Sequence, residues 1–185
     1  MDSDLSLKTS NAAAVTADSE VPVIPPEKQF LLLTLEIETP ILLSVLNLVE
    51  ILTIPVNQIV PMFEMPAWVA GVYNWRGDIL WIVDLNHFLG FLPWHQQDNY
   101  ISKHTVVVVK SQAKETPAKD EAPVLGLVVN RVNNMAVCEP ESFLPVDDLE
   151  IPETIRPFLA GYHLAEDGTP EWILQGDSIL SSMPC

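Results

Sequence analysis

Residues 66–90 read PAWVAGVYNWRGDILWIVDLNHFLG, and this stretch decides the fold. It contains two apolar runs, residues 68–73 and residues 79–83, which are rich in the aromatic and β-branched side chains that favour strands. Between the runs, positions 74–77 hold Asn, Trp, Arg and Gly, and Asn and Gly are typical of tight turns. The stretch therefore predicts a β-hairpin with a four-residue corner at positions 74–77.

The corner carries a single charge, Arg76, which is the only Lys or Arg between Lys28 and Lys103. A lone guanidinium in so apolar a region either binds a carboxylate or stands at a surface that recognises a partner. Both interpretations stay open from the residues alone. Glu50 is the carboxylate we expect beside Arg76 if the ion pair forms, and a solvated acid at a strand edge is the alternative for Glu50.

Four residues in or beside the hairpin are expected to have structural roles. Gly71 would allow a close approach of two backbones within a strand. Asn74 and Gly77 would supply the dihedral angles of the turn. Asp84 follows an apolar strand, and we expect its carboxylate to cap a short helical segment at residues 85–89.

Composition excludes several classes of function. The chain has 185 residues, of which 48% are hydrophobic, so it can form a sizeable core as one domain or as two small ones. Its net charge of −16 argues against binding to nucleic acid and to anionic membrane surfaces. The two cysteines, Cys138 and Cys185, are far apart and predict reduced thiols in a cytoplasmic protein.

Residues 1–28 are polar and proline-containing, and we expect a disordered tail. The tail lacks the pattern of a secretory signal, and the Leu-rich segment at 31–52 is interrupted by acidic residues and proline, so no membrane span is predicted. Residues 29–180 form the predicted folded domain, and residues 181–185 form a short C-terminal tail.

About ten short strands and few helical segments predict an all-β fold. The strands are so apolar that alternation fails, most clearly in the four valines at 106–109, and this indicates a barrel or two packed barrels. One strand is expected at residues 124–129, continuing through 130–132 into 135–138. A strand or a helical turn is expected at residues 46–52.

The sequence shows no motif for a metal site, a catalytic site or a phosphate-binding site. The four histidines lack ligand spacing and have no cysteine close in sequence, so we predict no metal site and no cofactor. No nucleophile motif or phosphate-binding loop is present, and the acidic stretch at 139–153 is interpreted as a solvated face. Trp94 lies in a polar loop, and we interpret it as an anchor for a partner protein.

Several elements resemble the CheW family of chemotaxis coupling proteins. In chain order they are Val49-Glu50-Ile51; residues 66–85, PAWVAGVYNWRGDILWIVDL; residues 126–132, GLVVNRV; and a terminal strand at 172–174 followed by Asp177 and Leu180. Asn130 departs from the pattern, in which Asp is usual. Four elements in the right order make the resemblance specific.

The resemblance implies two small five-stranded SH3-like barrels packed around a shared core, with short helical segments. It also implies a non-catalytic cytoplasmic adaptor between the cytoplasmic tip of a chemoreceptor and a CheA-like histidine kinase, with Arg76 involved in the coupling. Glu50, Arg76 and Trp94 are the candidate partner-binding residues. The alternative is a β-barrel that binds a small molecule or acts as an enzyme, which would need a concave polar pocket.

Overall fold

The structure is a computed structural model that describes residues 24–35, 40–97, 101–112, 123–148 and 150–183. The predicted disorder of residues 1–23 therefore lies outside the described residues, as does the end of the predicted C-terminal tail. A short 3₁₀ turn, Pro26–Lys28, precedes the first strand. The Lys28 carbonyl accepts a hydrogen bond from the Cys138 amide at 2.9 Å, and the Lys28 ammonium lies 2.7 Å from Glu139.

The described residues contain ten β-strands and two short α-helices. The strands are β1 (Gln29–Thr34), β2 (Pro40–Ser44), β3 (Leu48–Pro55), β4 (Val69–Trp75), β5 (Asp78–Asp84), β6 (Lys103–Lys110), β7 (Val124–Val129), β8 (Arg131–Val137), β9 (Leu159–Leu164) and β10 (Pro170–Leu174), and the helices are α1 (Leu85–Phe88) and α2 (Gly176–Ser181). Both alternatives for residues 46–52 occur in turn, because a 3₁₀ turn at Val45–Asn47 leads directly into β3.

The strands form two five-stranded sheets. Sheet A has the order β8-β1-β2-β10-β9, and sheet B has the order β3-β6-β7-β5-β4. Most neighbours are antiparallel, whereas β2–β10 and β5–β7 are parallel. Sheet B comes from the middle of the chain and sheet A from its two ends, so the two halves are interleaved. The predicted all-β fold of two small SH3-like units is confirmed.

The two sheets share one hydrophobic core, and each also has a smaller core of its own. The shared core joins side chains such as Leu33 and Leu43 of sheet A to Val107 and Leu127 of sheet B. Sheet B has its own hydrophobic cluster, which includes Leu80 and whose side chains come from the segment between β3 and β7. The cluster of sheet A consists of Phe30, Leu42, Cys138 and Ile173.

The predicted hairpin is present, with a tighter corner than expected. Trp75 pairs with Asp78, so only two residues form the loop, and Asn74 and Trp75 belong to β4. The prediction of one strand running through residues 124–138 was wrong. The chain leaves sheet B after Val129, passes through the bend at Asn130 and continues as β8 in sheet A.

Candidate partner-binding site

The hairpin corner is a two-residue turn with left-handed backbone at both positions. Arg76 has φ of 56° and Gly77 has φ of 97°. Two successive positive φ values match the type I′ turn, whose twist suits a two-residue hairpin and whose first position usually holds Asn, Asp or Gly. The Asn74 side-chain oxygen accepts a hydrogen bond from the Gly77 amide at 3.2 Å. This turn presents the Arg76 side chain at the end of the hairpin.

Glu50 holds the corner from across the barrel. One carboxylate oxygen of Glu50 accepts a hydrogen bond from the Trp75 indole N–H, and the other lies 2.9 Å from Nη2 of Arg76. The Arg76 guanidinium also lies over the Trp75 ring, 5.0 Å from its centroid. Because β3 and β4 are the opposite edges of sheet B, this cluster joins the two edges of the curled sheet.

The Glu50–Trp75–Arg76 cluster leaves the guanidinium available at the surface. The Arg76 side chain is 66% exposed, whereas that of Glu50 is only 26% exposed. An exposed ion pair contributes about 0–1 kcal/mol to stability, so the pair alone is a weak structural restraint. Guanidinium groups have five N–H donors, and one contact with Glu50 leaves capacity for another carboxylate.

Exposed apolar side chains lie on β3 and on the β4–β5 hairpin, the elements that carry this cluster. Val49 and Ile51 flank Glu50 on β3 and are 37% and 44% exposed, and Ile79, opposite Asn74 in the hairpin, is 74% exposed. Exposed apolar area rimmed by polar groups is typical of a protein–protein contact surface. Sheet B therefore presents exposed apolar side chains suited to contact with another protein.

A second group of candidate residues lies at the start of α1. Asp84 is only 2% exposed, and its carboxylate caps α1 by accepting a hydrogen bond from the His87 amide at 3.3 Å. The other carboxylate oxygen accepts a hydrogen bond from the Trp94 amide at 2.9 Å. The Trp94 ring packs edge-on against His104 at 4.3 Å. Trp94 is half-buried in this arrangement, and its role as a partner anchor stays a prediction.

Burial determines the ionisation of His104. It is 3% exposed, and burial lowers the pKa of its imidazole below the ordinary 6.5, while the nearby Asp84 carboxylate opposes this shift. The buried imidazole is therefore neutral at physiological pH.

A groove of about 740 Å³ lies between the two sheets, with Thr34 and Arg131 of sheet A on one side and Thr105 of sheet B on the other. Asn130 joins its walls, because its amide oxygen accepts from Asn86 at 2.8 Å and its amide nitrogen donates to Gln97 at 2.9 Å. The Gln97 nitrogen already donates to a backbone carbonyl. An Asp at this position could not donate to Gln97, so Asn suits this network.

Sequence reasoning identified part of this arrangement. The structure brings Glu50 and Arg76 together and places Trp94 with Asp84 and His104 instead. Trp75 is a further residue of this site: it packs against the core of sheet B, and its indole N–H shares the Glu50 carboxylate with Arg76. The sequence carries no signal of this hydrogen bond.

No helix in the described part of the chain is both long and apolar enough to cross a membrane. Among curated proteins, no similar sequence was found.

Comparisons with known proteins identify the family. The model of the CheW-like domain matches residues 29–183. Among solved structures, the scaffolding protein TtCheW from Thermoanaerobacter tengcongensis is similar in fold, with a TM-score of 0.62 and 19% sequence identity over 80% of this chain and 88% of that chain. The chain belongs to the family of CheW-like domains, whose members are non-catalytic scaffolds that couple receptors to a kinase.

Proposed function

We propose that this protein is a cytoplasmic adaptor that couples the cytoplasmic tip of a chemoreceptor to a CheA-like histidine kinase. Membership of the CheW-like family supports the class of partners. The receptor can belong to a flagellar, pilus-based or light-directed motility system. An adaptor of this kind transmits a signal by fixing the geometry between two partners, so interface contacts replace reactive groups.

The Glu50–Trp75–Arg76 cluster is the observation that supports this proposal. A left-handed backbone conformation costs about 1–2 kcal/mol for a residue with a Cβ atom, and such strain concentrates at functional sites. Arg76 adopts this conformation although Gly or Asn would adopt it with less strain. A contact between the exposed guanidinium and a partner would explain why an arginine occupies this strained position.

The chemistry of Arg76 suggests how it would contribute to binding. In a chain of net charge −16, it is an exposed cation at the end of a hairpin that also carries the exposed Ile79. A planar guanidinium forms paired hydrogen bonds with a carboxylate, which fix the orientation of two surfaces. We expect an acidic side chain of the kinase or receptor to meet Arg76, with the exposed Ile79 of the same hairpin adding apolar contact.

The test is a charge reversal at Arg76. Arg76→Glu should weaken binding to a purified CheA-like kinase at least roughly tenfold and reduce receptor control of the kinase, because it places a carboxylate opposite the expected acidic group. Binding is measured by titration calorimetry, and control by kinase autophosphorylation in receptor-containing membranes.

Arg131→Glu is the matched control, since it makes the same charge change at an exposed cation of sheet A. It should change the affinity less than about threefold if the effect at Arg76 is local. Equal weakening by the two variants would show that only net charge matters, and would contradict the role given to Arg76.

Folding is checked with a second substitution at the same position. Arg76→Gly relieves the left-handed strain but loses the ion pair and the contact with Trp75, so its free energy of unfolding should stay within about 1 kcal/mol of the native value. It should still lose partner affinity. If Arg76→Glu and Arg76→Gly both unfold the protein, or if Arg76→Gly binds normally, the proposal for this residue fails.

A further inference from the structure

Sheet A contains a cluster of three side chains that can ligate a metal. Cys138 follows β8, His163 lies on β9 and Glu171 lies on β10. One ligand atom from each residue lies within 4.8 Å of the others. Cys138 and His163 are 25 positions apart and Glu171 follows 8 positions later, which is not the short spacing of a metal-binding motif, so only the fold brings them together.

The topology of sheet A positions these residues. His163 and Glu171 are directly opposite each other in the β9–β10 register, and Nδ1 of His163 lies 3.2 Å from a Glu171 oxygen. Cys138 reaches them from β8, at the opposite edge of the sheet. Its amide is bonded to the Lys28 carbonyl, which fixes the backbone that carries the thiol. The cluster therefore lies where the curled sheet brings its two edges together.

The burial of the three side chains favours a bound cation between them. Cys138 is 3% exposed and packs with Phe30, Leu42 and Ile173. The Glu171 side chain is 12% exposed and that of His163 is 25% exposed. Removing a carboxylate from water is costly unless a positive charge lies next to it. A divalent cation would supply that charge in place of the present contact between Nδ1 of His163 and the Glu171 carboxylate, and the partial exposure of His163 gives the ion a route from solvent.

We propose that Cys138, His163 and Glu171 bind a divalent transition metal of the zinc class, with a water molecule as the fourth ligand. Thiolate, imidazole and carboxylate are the ligand types that Zn²⁺ takes in proteins, at about 2.0–2.3 Å from the metal. Tetrahedral ligands at such bond lengths are roughly 3.5 Å apart. The imidazole and carboxylate already meet this spacing, and the other atoms need to move by about an ångström. This site is independent of the proposed adaptor role.

Cys138 carries a protonated thiol in the metal-free protein. Burial, and then the nearby Glu171 carboxylate, raise the pKa of the Cys138 thiol above its ordinary 9.0. The thiolate, rather than the thiol, is the form that ligates a metal. Metal binding has to displace this proton, so the affinity should increase as the pH rises.

The experiment is a titration of the full-length, chelator-treated protein with Zn²⁺ and, separately, with Co²⁺. Zn²⁺ should bind with one ion per chain in competition with a chromophoric chelator, and Co²⁺ should produce the near-ultraviolet absorption of a thiolate-to-cobalt charge transfer. Absence of stoichiometric Zn²⁺ binding, or Co²⁺ binding without this absorption, would overturn the proposal.

Matched variants identify the ligands. Cys138→Ser should abolish the charge-transfer band, whereas Cys185→Ser, at the only other cysteine, should keep it. His163→Gln and Glu171→Gln should each weaken Zn²⁺ binding beyond the roughly 10–100-fold that loss of a group outside the ligand shell causes. His95→Gln, at an exposed histidine, should leave the affinity unchanged.

Circular dichroism verifies that each variant is folded. If Cys138→Ser is unfolded, the His163 and Glu171 variants, whose side chains are less buried than Cys138, decide the question. Native Zn²⁺ affinity in both of these variants, or loss of binding in His95→Gln, would show that the metal lies elsewhere.

Discussion

Single residues at the hairpin corner show how a local conformational cost and a function can occupy the same position. Arg76 has a backbone conformation that disfavours a side chain with a Cβ atom, and Gly77 beside it has one that favours glycine. The contacts of Arg76 with Glu50 and Trp75 offset part of this cost. The corner therefore depends on a glycine for its geometry and presents an arginine for recognition.

The two hairpin glycines predict different costs of substitution. A Cβ atom at Gly71 would lie 2.2 Å from the Val60 carbonyl oxygen, whereas at Gly77 it would meet nothing within 4 Å. Both have positive φ, so each Ala variant suffers strain of about 1–2 kcal/mol. Gly71→Ala adds a backbone clash, and we expect it to lower the free energy of unfolding by more than about 3 kcal/mol.

Urea denaturation of the two variants measures this difference. Gly77→Ala should cost about 1–2 kcal/mol and keep partner binding, because the side chain of Arg76 stays in place. Equal destabilisation by the two substitutions would show that the Val60 backbone moves away freely, and would contradict the close approach at Gly71.

At the residue scale, part of the site could be predicted from the sequence. Glu50 was the carboxylate expected beside the lone Arg76 if an ion pair formed, and the structure places the two groups 2.9 Å apart. The bond from Trp75 to the same carboxylate could not be predicted, because an aromatic residue in a strand has the same pattern whether its N–H is bonded or not.

At the scale of elements, strand β6 explains why alternation fails in this sequence. Val106 and Val108 face the core of sheet B alone, while Val107 and Val109 face the core that both sheets share. A strand buried on both faces has no polar side, so four consecutive valines are the expected pattern. The sequence predicts such a strand but does not tell which valine enters which core.

The crossing from β7 to β8 is the element that sequence reasoning missed. Val129 ends β7 in sheet B, and Arg131 begins β8 in sheet A. Only Asn130 separates them, and a one-residue interruption in an extended segment resembles a bulge. The amides of Asn86 and Gln97, which hold Asn130, come from distant parts of the chain, so the sequence holds no local signal for this change of sheet.

His104, near the start of β6, predicts a pH dependence of stability. Its folded-state pKa is lowered from 6.5 by burial, so the unfolded chain binds its proton at a higher pH than the folded protein does. Below a pH of about 6.5 the unfolded state holds more protons, and the contribution of neutral His104 to stability is progressively lost. The free energy of unfolding should therefore decrease as the pH falls from about 7.5 to about 5.5.

Comparison of the native protein with His104→Gln tests this prediction. The substitution removes the titrating group, so the variant should show a weaker decrease of stability over this pH range than the native protein. His95→Gln, at an exposed position, should retain the native decrease. An unchanged pH dependence in His104→Gln would show that other groups cause it.

At the scale of the whole molecule, the order of the chain makes the two sheets interdependent. Sheet A needs strands from both ends of the chain, and sheet B separates those ends. Neither sheet has a large core by itself, since most buried apolar side chains belong to the shared cluster. The number of strands could be predicted from composition and turn signals, whereas the sharing of the core could not, because it depends on which long-range pairs form.

This architecture predicts that the protein unfolds as one unit. Leu42 belongs to the core of sheet A alone and Ile82 to that of sheet B alone, and both are fully buried. If the shared core couples the sheets, Leu42→Ala should lower the opening free energy of amides in β6, in the other sheet, as much as in β2. Ile82→Ala should have the reciprocal effect on β2, and we expect a decrease of about 2–5 kcal/mol in each case.

Native-state hydrogen exchange, followed by mass spectrometry of peptides from β2 and β6, measures both sheets in one experiment. Equal decreases in the opening free energy of the two peptides would mean that a substitution in one sheet destabilises both sheets to the same extent. A decrease confined to the substituted sheet would mean that the halves open separately, and would contradict the coupling. For a scaffold this coupling matters, because a shared core makes both sheets parts of one rigid body, and partners bound to different faces are then held at a fixed relative position.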